Sequence, residues 1–233
     1  MQYFFRLLSM CFLIPFLGCN PDEDCCDPNP PGGESDCESI EFNGHNYSLA
    51  EINGDCWFAE NLKSNMYQNG DVITYEPDEN EWIFVQEGAR CVMYNDESLA
   101  DIYGYLYNWN AAVDPRNLCP SGWHVGDSLD FENLIISSGG LNTALKATTS
   151  WVEEDENSDD ALGFGALAGG MRTGDLFQAE YLGQGYNTKF WLGQNCIGEN
   201  SGPTLTLRTM EEELEILCQD WAGTGAYVRC VRD

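Results

Sequence analysis

Residues 101–135 read DIYGYLYNWNAAVDPRNLCPSGWHVGDSLDFENLI, and this stretch decides the predicted fold. Aromatic residues alternate in its first third, at Tyr103, Tyr105, Tyr107 and Trp109. Because successive side chains of a strand point to opposite faces, the alternation predicts a strand that carries all four rings on one face. Such a row of rings can pack in the core of a domain or form a stacking platform for sugar rings.

The second half of the stretch predicts an amphipathic helix. Asp127 and Ser128 provide an N-cap, and the acidic residues that follow interact favourably with the positive end of the helix dipole. Gly139 and Gly140 are expected to end this helix. A second, shorter helix is predicted over residues 141–147.

The composition limits the class of partner. The 233 residues are 43% hydrophobic and 12% aromatic, which is enough for a sizeable core. The formal net charge is −29, because 39 acidic residues are accompanied by only 10 basic ones. Such a charge repels phosphate backbones and anionic lipid head groups, so we expect no nucleic-acid partner. Solubility outside the cell explains it most simply, and binding of divalent cations is the alternative.

The N-terminal residues predict export and a lipid anchor. Arg6 precedes an apolar run over residues 7–17, which is too short to span a bilayer and has the layout of a secretion signal. The run ends in Phe-Leu-Gly-Cys and resembles a bacterial lipoprotein signal, which implies that residues 1–18 are removed and that Cys19 is lipidated. The alternative is a plain signal peptide with a chance cysteine. Residues 19–38, acidic and rich in proline and glycine, resemble the tether of a Bacteroidota surface lipoprotein.

The remaining chain predicts a globular head, residues 39–233, of short strands and long loops. Alternating runs separated by Asn-Gly within residues 39–62 predict a hairpin or meander. Residues 64–98 predict a long loop region with two short strands, at residues 82–85 and 91–94. The four glycines of LGFGALAGGMR, residues 162–172, indicate tight turns or a close approach of another segment.

The C-terminal part of the chain, from Gly174 onward, predicts β-structure only. The predicted strands are residues 190–192, 204–208, 214–221 and 227–232. The run Glu211-Glu212-Glu213 between two of them is expected to form a charged hairpin tip. The last strand is expected to pair with an early one and so to close the domain, which gives an α+β fold class.

The cysteine content indicates a disulfide framework. The chain has eleven cysteines, and nine are left when Cys11 in the signal and the lipidated Cys19 are set aside. An exported chain reaches an oxidising compartment, and the CxxC or Cys/His spacings of a zinc site are absent from the sequence. The strand pattern favours three pairs: Cys119–Cys230, Cys196–Cys218 and Cys56–Cys91. Since nine is odd, at least one thiol is unpaired within the chain, and we expect it among Cys25, Cys26 and Cys37.

Six motifs together resemble one family. They are CWFAENL (56–62), YGYLYNWNAA (103–112), CPSGWHV (119–125), GFGALAGGMR (163–172), FWLG (190–193) and YVRCVRD (227–233). In order and spacing they resemble the Fibrobacter succinogenes major paralogous domain, found in secreted and lipid-anchored proteins of Bacteroidota. The resemblance implies a C-type lectin-like fold, with mostly antiparallel strands, two short helices, long loops and paired N- and C-terminal strands. It also implies that the alternating aromatic residues pack in the core.

The chain departs from the family pattern at two turns. Gly126 stands where the family usually has proline after the Trp-His-Leu turn, and Ala168 stands where it usually has proline before the glycine pair. Both changes loosen a turn without removing a chemical group. Asp160 falls where the family typically carries an aspartate.

Candidate site residues are few. The sequence has only two histidines, His45 and His124, so a Ser-His-Asp or Cys-His arrangement has little to build on, and we predict no catalytic residues. We expect no cofactor apart from calcium as an alternative. Asp155, Asn157, Asp159 and Asp160 resemble the start of a calcium loop, but Asp160 replaces the turn glycine and Ala166 stands at the distal ligand position. A solvated acidic loop is the simpler interpretation.

The long loop region of residues 64–98 is the expected contact surface, through Tyr75 and Trp82. The leading hypothesis is therefore a non-enzymatic lipoprotein, anchored in the outer membrane and facing the cell exterior, that binds a glycan or a protein partner through its loops. Two alternatives are an enzyme acting on extracellular polysaccharide and a structural accessory subunit of an outer-membrane complex. Two converging carboxylates in an aromatic cleft would favour the enzyme.

Overall fold

The computed structural model describes residues 37–152, 158–174, 179–194, 196, 201–214, 216–221 and 223–233. Their architecture is mixed α+β. The strands are β1 (Ile40–Phe42), β2 (His45–Tyr47), β3 (Leu49–Ile52), β4 (Asp55–Phe58), β5 (Thr74–Tyr75), β6 (Ala89–Cys91), β7 (Leu106–Tyr107), β8 (Trp123–Val125), β9 (Met171–Arg172), β10 (Tyr181–Leu182), β11 (Asn187–Trp191), β12 (Ser201–Arg208), β13 (Ile216–Trp221) and β14 (Cys230–Arg232). The helices are α1 (Glu79–Trp82), α2 (Ala100–Tyr103), α3 (Trp109–Ala112) and α4 (Ser128–Ser137).

The last strand closes the central sheet, as predicted. This four-stranded sheet has the order β3-β4-β14-β8, and β14 is antiparallel to both of its neighbours. Val231 lies opposite Trp57 on one side, and Cys230 lies opposite Val125 on the other. Because β4 comes early in the chain and β14 comes last, their pairing joins the two ends of the described domain.

The other sheets are small. Two three-stranded sheets have the orders β11-β12-β13 and β5-β6-β7, and two hairpins pair β1 with β2 and β9 with β10. Among the described strand pairs only β5–β6 is parallel. The run from Glu211 to Glu213 lies between the antiparallel strands β12 and β13, which confirms the predicted charged connection.

Helix α4 forms where the sequence predicts it. The Asp127 carboxylate accepts hydrogen bonds from the backbone N–H groups of Leu129 and Asp130, and the Asp130 carboxylate accepts one from the Asp127 N–H. This capping box satisfies backbone donors that have no partner within the helix. Gly139 and Gly140 end the helix with φ angles of +68° and +80°. The prediction of a helix over residues 141–147 is wrong, because only one 3₁₀ turn, Asn142–Ala144, forms in this segment.

The strand predicted through the alternating aromatic residues is also wrong. Tyr103 ends α2 and Trp109 begins α3, so that only Leu106–Tyr107 is a strand. Gly104, at a φ of +80°, breaks the run, and the side chain of Asn108 caps α3. The core assignment holds for Tyr107 and Trp109, which are buried, whereas Tyr103 stays partly exposed.

Neither strand predicted in the long loop region forms as expected. Residues 82–85 contribute the end of α1, which Asp78 caps, and then turns. Of residues 91–94 only Cys91 is in a strand, because Tyr94 has a φ of +54°, which extended backbone does not allow. Local β-propensity is overridden here by capping and turn geometry.

Three disulfides are present in the described residues. Cys119–Cys230 and Cys196–Cys218 confirm two predicted pairs. The third prediction is wrong: Cys56 pairs with Cys37, and Cys91 is a buried free thiol. Cys56 lies in β4 and Cys91 in β6, in different sheets and different parts of the core, so the two cannot meet. The free thiol was expected among Cys25, Cys26 and Cys37, of which the first two lie outside the described residues.

The core is aromatic. Trp57 packs edge-on against Phe131 and Phe164, while Phe58 contacts Tyr47 and Trp123 in a second cluster. The glycine run provides the close approaches that the sequence predicts, since a Cβ on Gly165 would lie 2.6 Å from the Ala59 carbonyl oxygen. Every helix in the described ranges is too short or too polar to cross a membrane.

Candidate binding surface

A group of tyrosines lies partly exposed around the sheet β5-β6-β7. We call Tyr75, Tyr94, Tyr105 and Tyr181, together with Arg90, the tyrosine surface. The register of the sheet creates it, because Arg90 in the central strand β6 lies opposite Tyr75 of β5. Tyr105 follows α2 and contacts Arg90, while Tyr181 of β10 contacts Tyr94.

Arg90 is held between two aromatic rings. Its guanidinium carbon lies 5.1 Å from the ring centroid of Tyr75 and 4.3 Å from that of Tyr105. Both distances are within the range of a cation–π interaction. The Arg90 Nε atom is buried and has no hydrogen-bond partner, and the guanidinium forms no ion pair within the part of the chain that the structure describes.

Tyr94 and Tyr181 form the second part of the surface. Their rings meet edge-on at 5.6 Å, and the Tyr181 hydroxyl donates a hydrogen bond of 2.7 Å to Asn95 Oδ1. Asn95 Nδ2 in turn donates to the Pro77 carbonyl oxygen. Tyr94 and Asn95 have φ angles of +54° and +56°, a strained arrangement that the Asn95 hydrogen bonds hold in place. It presents a Tyr94 ring that is 52% exposed.

Trp82 is a buried residue next to the tyrosine surface, so the prediction that it is an exposed contact residue is wrong. Its side chain is fully buried, and its indole N–H donates to the Gly223 carbonyl oxygen. The Arg172 guanidinium lies between the rings of Trp82 and Tyr181, at 4.7 Å and 4.9 Å from their centroids. Arg172 also donates to the carbonyl oxygens of Glu76 and Pro77, so it fixes the loop next to Tyr75.

Two of the tyrosines, Tyr75 and Tyr181, have a raised pKa and keep their phenol protons at physiological pH. Burial, followed by the nearby Glu97 carboxylate, raises the pKa of Tyr75 to about 12. Burial also raises the pKa of Tyr181 above its usual range, and the neighbouring Cys91 adds to the effect. The surface therefore presents apolar ring faces, neutral hydroxyl groups and one guanidinium, which is the chemistry that stacks on sugar rings and hydrogen-bonds their hydroxyls.

The predicted calcium loop is only partly described, because Asp155 and Asn157 lie outside the described residues. The Asp160 Oδ1 atom accepts a hydrogen bond of 2.8 Å from the Gly165 N–H, and the Asp159 Oδ1 atom accepts one from the Ala161 N–H. Burial raises the pKa of Asp160, against the hydrogen bond from Gly165 and the nearby Arg229. Asp160 therefore orders the glycine run. The predicted lipidation site, Cys19, also lies outside the described residues.

His124 lies between two carboxylates. Its Nε2 atom is 2.8 Å from Asp130 Oδ2, and its Nδ1 atom is 2.7 Å from Asp233 Oδ1. His124, Asp127 and Asp130 could each direct one ligand atom at a metal ion, and in the described ranges this is the one group of three that does so. However, both ring nitrogens and the Asp130 oxygen are already hydrogen-bonded. His124 therefore links β8 to α4 through an ion pair with Asp130. His124 is therefore a structural, hydrogen-bonded residue.

Sequence reasoning identified Tyr75 but missed Arg90, Tyr94, Tyr105 and Tyr181 as parts of one surface. Tyr181 and Asn95 are 86 residues apart, and no spacing rule connects them. One feature of the sequence could have indicated Arg90: it is one of only 10 basic residues, and it falls in the long loop region of residues 64–98.

Comparisons with known proteins agree with the motif pattern. Residues 50–232 match the model of the Fibrobacter succinogenes major domain family. No curated protein and no solved structure matches the chain. The match includes the sheet β3-β4-β14-β8, the disulfide Cys119–Cys230 and the whole tyrosine surface. Since the match extends over most of its length, the chain belongs to the Fibrobacter succinogenes major domain family.

Proposed function

We propose that this protein is a non-enzymatic surface lipoprotein of the outer membrane whose head recognises a glycan through the tyrosine surface. The observation that carries the proposal is a surface of four partly exposed tyrosines, two of which hold the Arg90 guanidinium between their rings. An aromatic ring offers a sugar a flat apolar face, while its hydroxyl satisfies a polar group at the edge. Arg172 and the Asn95 hydrogen bonds hold the surface in advance, so little conformational entropy is lost on binding.

The head has, on this proposal, a C-type lectin-like fold. The pairing of β14 with β4, the short helices and the long loops between β4 and β8 are the features that support it. In such a scaffold the central sheet and its disulfide provide stability, whereas the loops bind the ligand. Most of the tyrosine surface comes from the segment between β4 and β8, and Tyr181 of β10 completes it.

The anchor is the other part of the proposal. The lipoprotein signal over residues 1–18 and the acidic tether over residues 19–38 support acylation of Cys19 and display outside the cell. Mass spectrometry of the mature N-terminus tests it. A diacylglyceryl-modified Cys19 is expected, and an unmodified cysteine or cleavage elsewhere would remove the anchor from the proposal.

Glycan binding is tested with the full chain in mild detergent on a glycan array, followed by calorimetry with the strongest hit. Tyr94→Ala is expected to weaken binding about 5- to 100-fold, since one aromatic stacking contact is worth about 1–3 kcal/mol in comparable base–aromatic stacking. Tyr186→Ala is the matched control, because Tyr186 is 56% exposed and lies outside the tyrosine surface. Equal effects of the two substitutions, or no glycan bound at all, would contradict the proposal.

A second candidate is an enzyme acting on extracellular polysaccharide, and one cavity favours it. This cavity has a volume of about 620 Å³ and is lined by Glu211, Glu212 and Glu213, beside Arg208. Paired carboxylates are the catalytic groups of most glycoside hydrolases. Release of reducing ends from polysaccharides, lost in Glu211→Gln and Glu213→Gln, would favour the enzyme. Co-purification with an outer-membrane complex in the absence of any glycan would instead favour an accessory subunit.

A further inference from the structure

Among the residues that the structure describes, Arg90 has no carboxylate partner, although the protein is strongly acidic. Carboxylates pair with three other basic side chains in the described ranges: the pairs are Lys63–Glu60, Arg116–Asp114 and Arg208–Glu211. The buried guanidinium of Arg172 donates to carbonyl oxygens. By contrast, neither Nη atom of Arg90 donates a hydrogen bond to a residue that the structure describes, although the chain carries 39 acidic residues. The Nε atom of Arg90, like that of Arg172, is buried without an acceptor.

The lack of an acceptor for Arg90 costs free energy in the folded protein. The Arg90 Nε–H is buried without an acceptor, which costs free energy because its hydration is lost and not replaced. Tyr75 and Tyr105 offset part of that cost through their ring faces, and they also fix the plane of the guanidinium. The nearby Glu97 carboxylate interacts with the Tyr75 hydroxyl instead. The donors of Arg90 are therefore oriented in advance, and no carboxylate in the described part of the chain neutralises them.

We propose that Arg90 binds a carboxylate of the ligand, so that the glycan recognised by the tyrosine surface is one that contains uronic acid. This inference rests on the proposed function and specifies its ligand. A guanidinium presents parallel N–H groups that match the two oxygens of a carboxylate. A uronic acid carries that carboxylate directly on a sugar ring, which the neighbouring tyrosines can contact at the same time. One ligand unit then satisfies both kinds of group on the surface.

The net charge of −29 is compatible with a carboxylated ligand. At physiological ionic strength the Debye length is about 8 Å, so exposed carboxylates farther away than this are largely screened. A direct contact with a partly desolvated guanidinium is screened much less. The acidic surroundings add selectivity, because a ligand carboxylate that does not reach Arg90 gains nothing and is repelled.

The test uses calorimetry with the full chain in mild detergent and oligosaccharides of galacturonate, mannuronate and glucuronate. Each is compared with its carboxyl-reduced counterpart, which has the same rings without the charge. The unsubstituted protein is expected to bind at least one uronate about tenfold or more tightly than its reduced counterpart, the size of effect typical of a hydrogen bond to a charged group. Arg90→Met is expected to abolish that preference while it keeps binding of the reduced form.

Arg90→Lys is the second variant, and it is expected to keep a reduced preference for the uronate because the charge remains without the fork of donors. Thermal unfolding of each variant shows that it is folded. Equal affinities for uronates and their reduced counterparts, or an undiminished preference in Arg90→Met, overturn the inference. If Tyr94→Ala still weakens binding in that case, the glycan-binding function stands without the uronate. If no oligosaccharide of the array or of this panel binds, both proposals fall.

Discussion

Arg229 Nε donates a hydrogen bond of 2.8 Å to Asn61 Oδ1, across 168 residues of chain. The same guanidinium donates to the carbonyl oxygens of Phe58, Phe164 and Gly165. Because Arg229 is only 1% exposed, these bonds form in the interior, where an unpaired donor would be expensive. One side chain thus ties the strand pair β3–β4, the glycine run and the end of the chain together.

Replacing Arg229 by methionine is expected to destabilise the protein by about 3–5 kcal/mol. The substitution leaves buried acceptors without donors, which costs more than the loss of an exposed ion pair. Urea denaturation measures the difference. Arg208→Met is the matched control, because the Arg208 side chain is 45% exposed and pairs with Glu211, so its loss is expected to cost less than about 1 kcal/mol. Similar losses in the two variants would contradict the assigned role of Arg229.

His124 is expected to make stability depend on pH. The hydrogen bond with Asp130 and, after it, the one with Asp233 raise the pKa of His124 from 6.5 to about 9, against the effect of burial. The folded protein therefore holds a proton between these pH values that the unfolded chain releases, so that stability is fully present below pH 6.5 and falls as the pH rises to about 9. Because the side chain is 36% exposed, screening limits the loss to about 1 kcal/mol.

Denaturation curves at pH 6 and pH 9.5, for the unsubstituted protein and for His124→Asn, measure this effect. The variant is expected to lack the His124 contribution at both pH values and to show a smaller difference between them. An equal difference in both proteins would show that His124 does not carry the dependence.

Gly165 and Gly163 form a natural pair for testing close backbone approach. Both have a φ angle of +66°, so alanine at either position suffers the same backbone strain, about 1 kcal/mol or more. A Cβ at Gly165 would also lie 2.6 Å from the Ala59 carbonyl oxygen, whereas at Gly163 the nearest atom is the Ala50 Cβ at 3.8 Å. We expect Gly165→Ala to be more destabilising than Gly163→Ala by at least about 1 kcal/mol. Equal midpoints in urea would contradict the packing described for this turn.

The disulfides are expected to differ in their contributions to stability. Cys119–Cys230 joins residues 111 apart, and Cys37–Cys56 joins residues 19 apart. The chain-entropy model assigns about 5 kcal/mol to the first and about 3 kcal/mol to the second. Double alanine variants of each pair, compared by urea denaturation, are expected to show the larger loss for Cys119–Cys230. The reverse order would indicate that native packing around Cys37 outweighs loop closure.

Features that depend on residues close together in the sequence could be predicted well. Helix α4 was found because its cap at Asp127 and its glycine stop at Gly139 lie within one short segment. The pairing of Cys119 with Cys230 followed from the expectation that the last strand closes the sheet. The prediction for Trp82 is wrong, because its hydrophobic neighbours suggest an exposed loop strand, whereas the Arg172 that packs on its ring is distant in sequence.

The sequence by itself determined the family, the α+β class, helix α4 and two of the three disulfides found in the described residues, because caps, turn glycines and motif order are written in consecutive residues. The tertiary structure alone decided the pairing of Cys37 with Cys56, the burial of Trp82 and the grouping of Arg90 with its tyrosines. These features depend on which segments meet after the chain has folded. The loop region has few repeating sequence patterns, so its contacts are determined by tertiary packing. The candidate binding surface belongs to this second group, since its rings come from segments that are distant in sequence and are held together by Arg90, the buried Arg172 and Asn95.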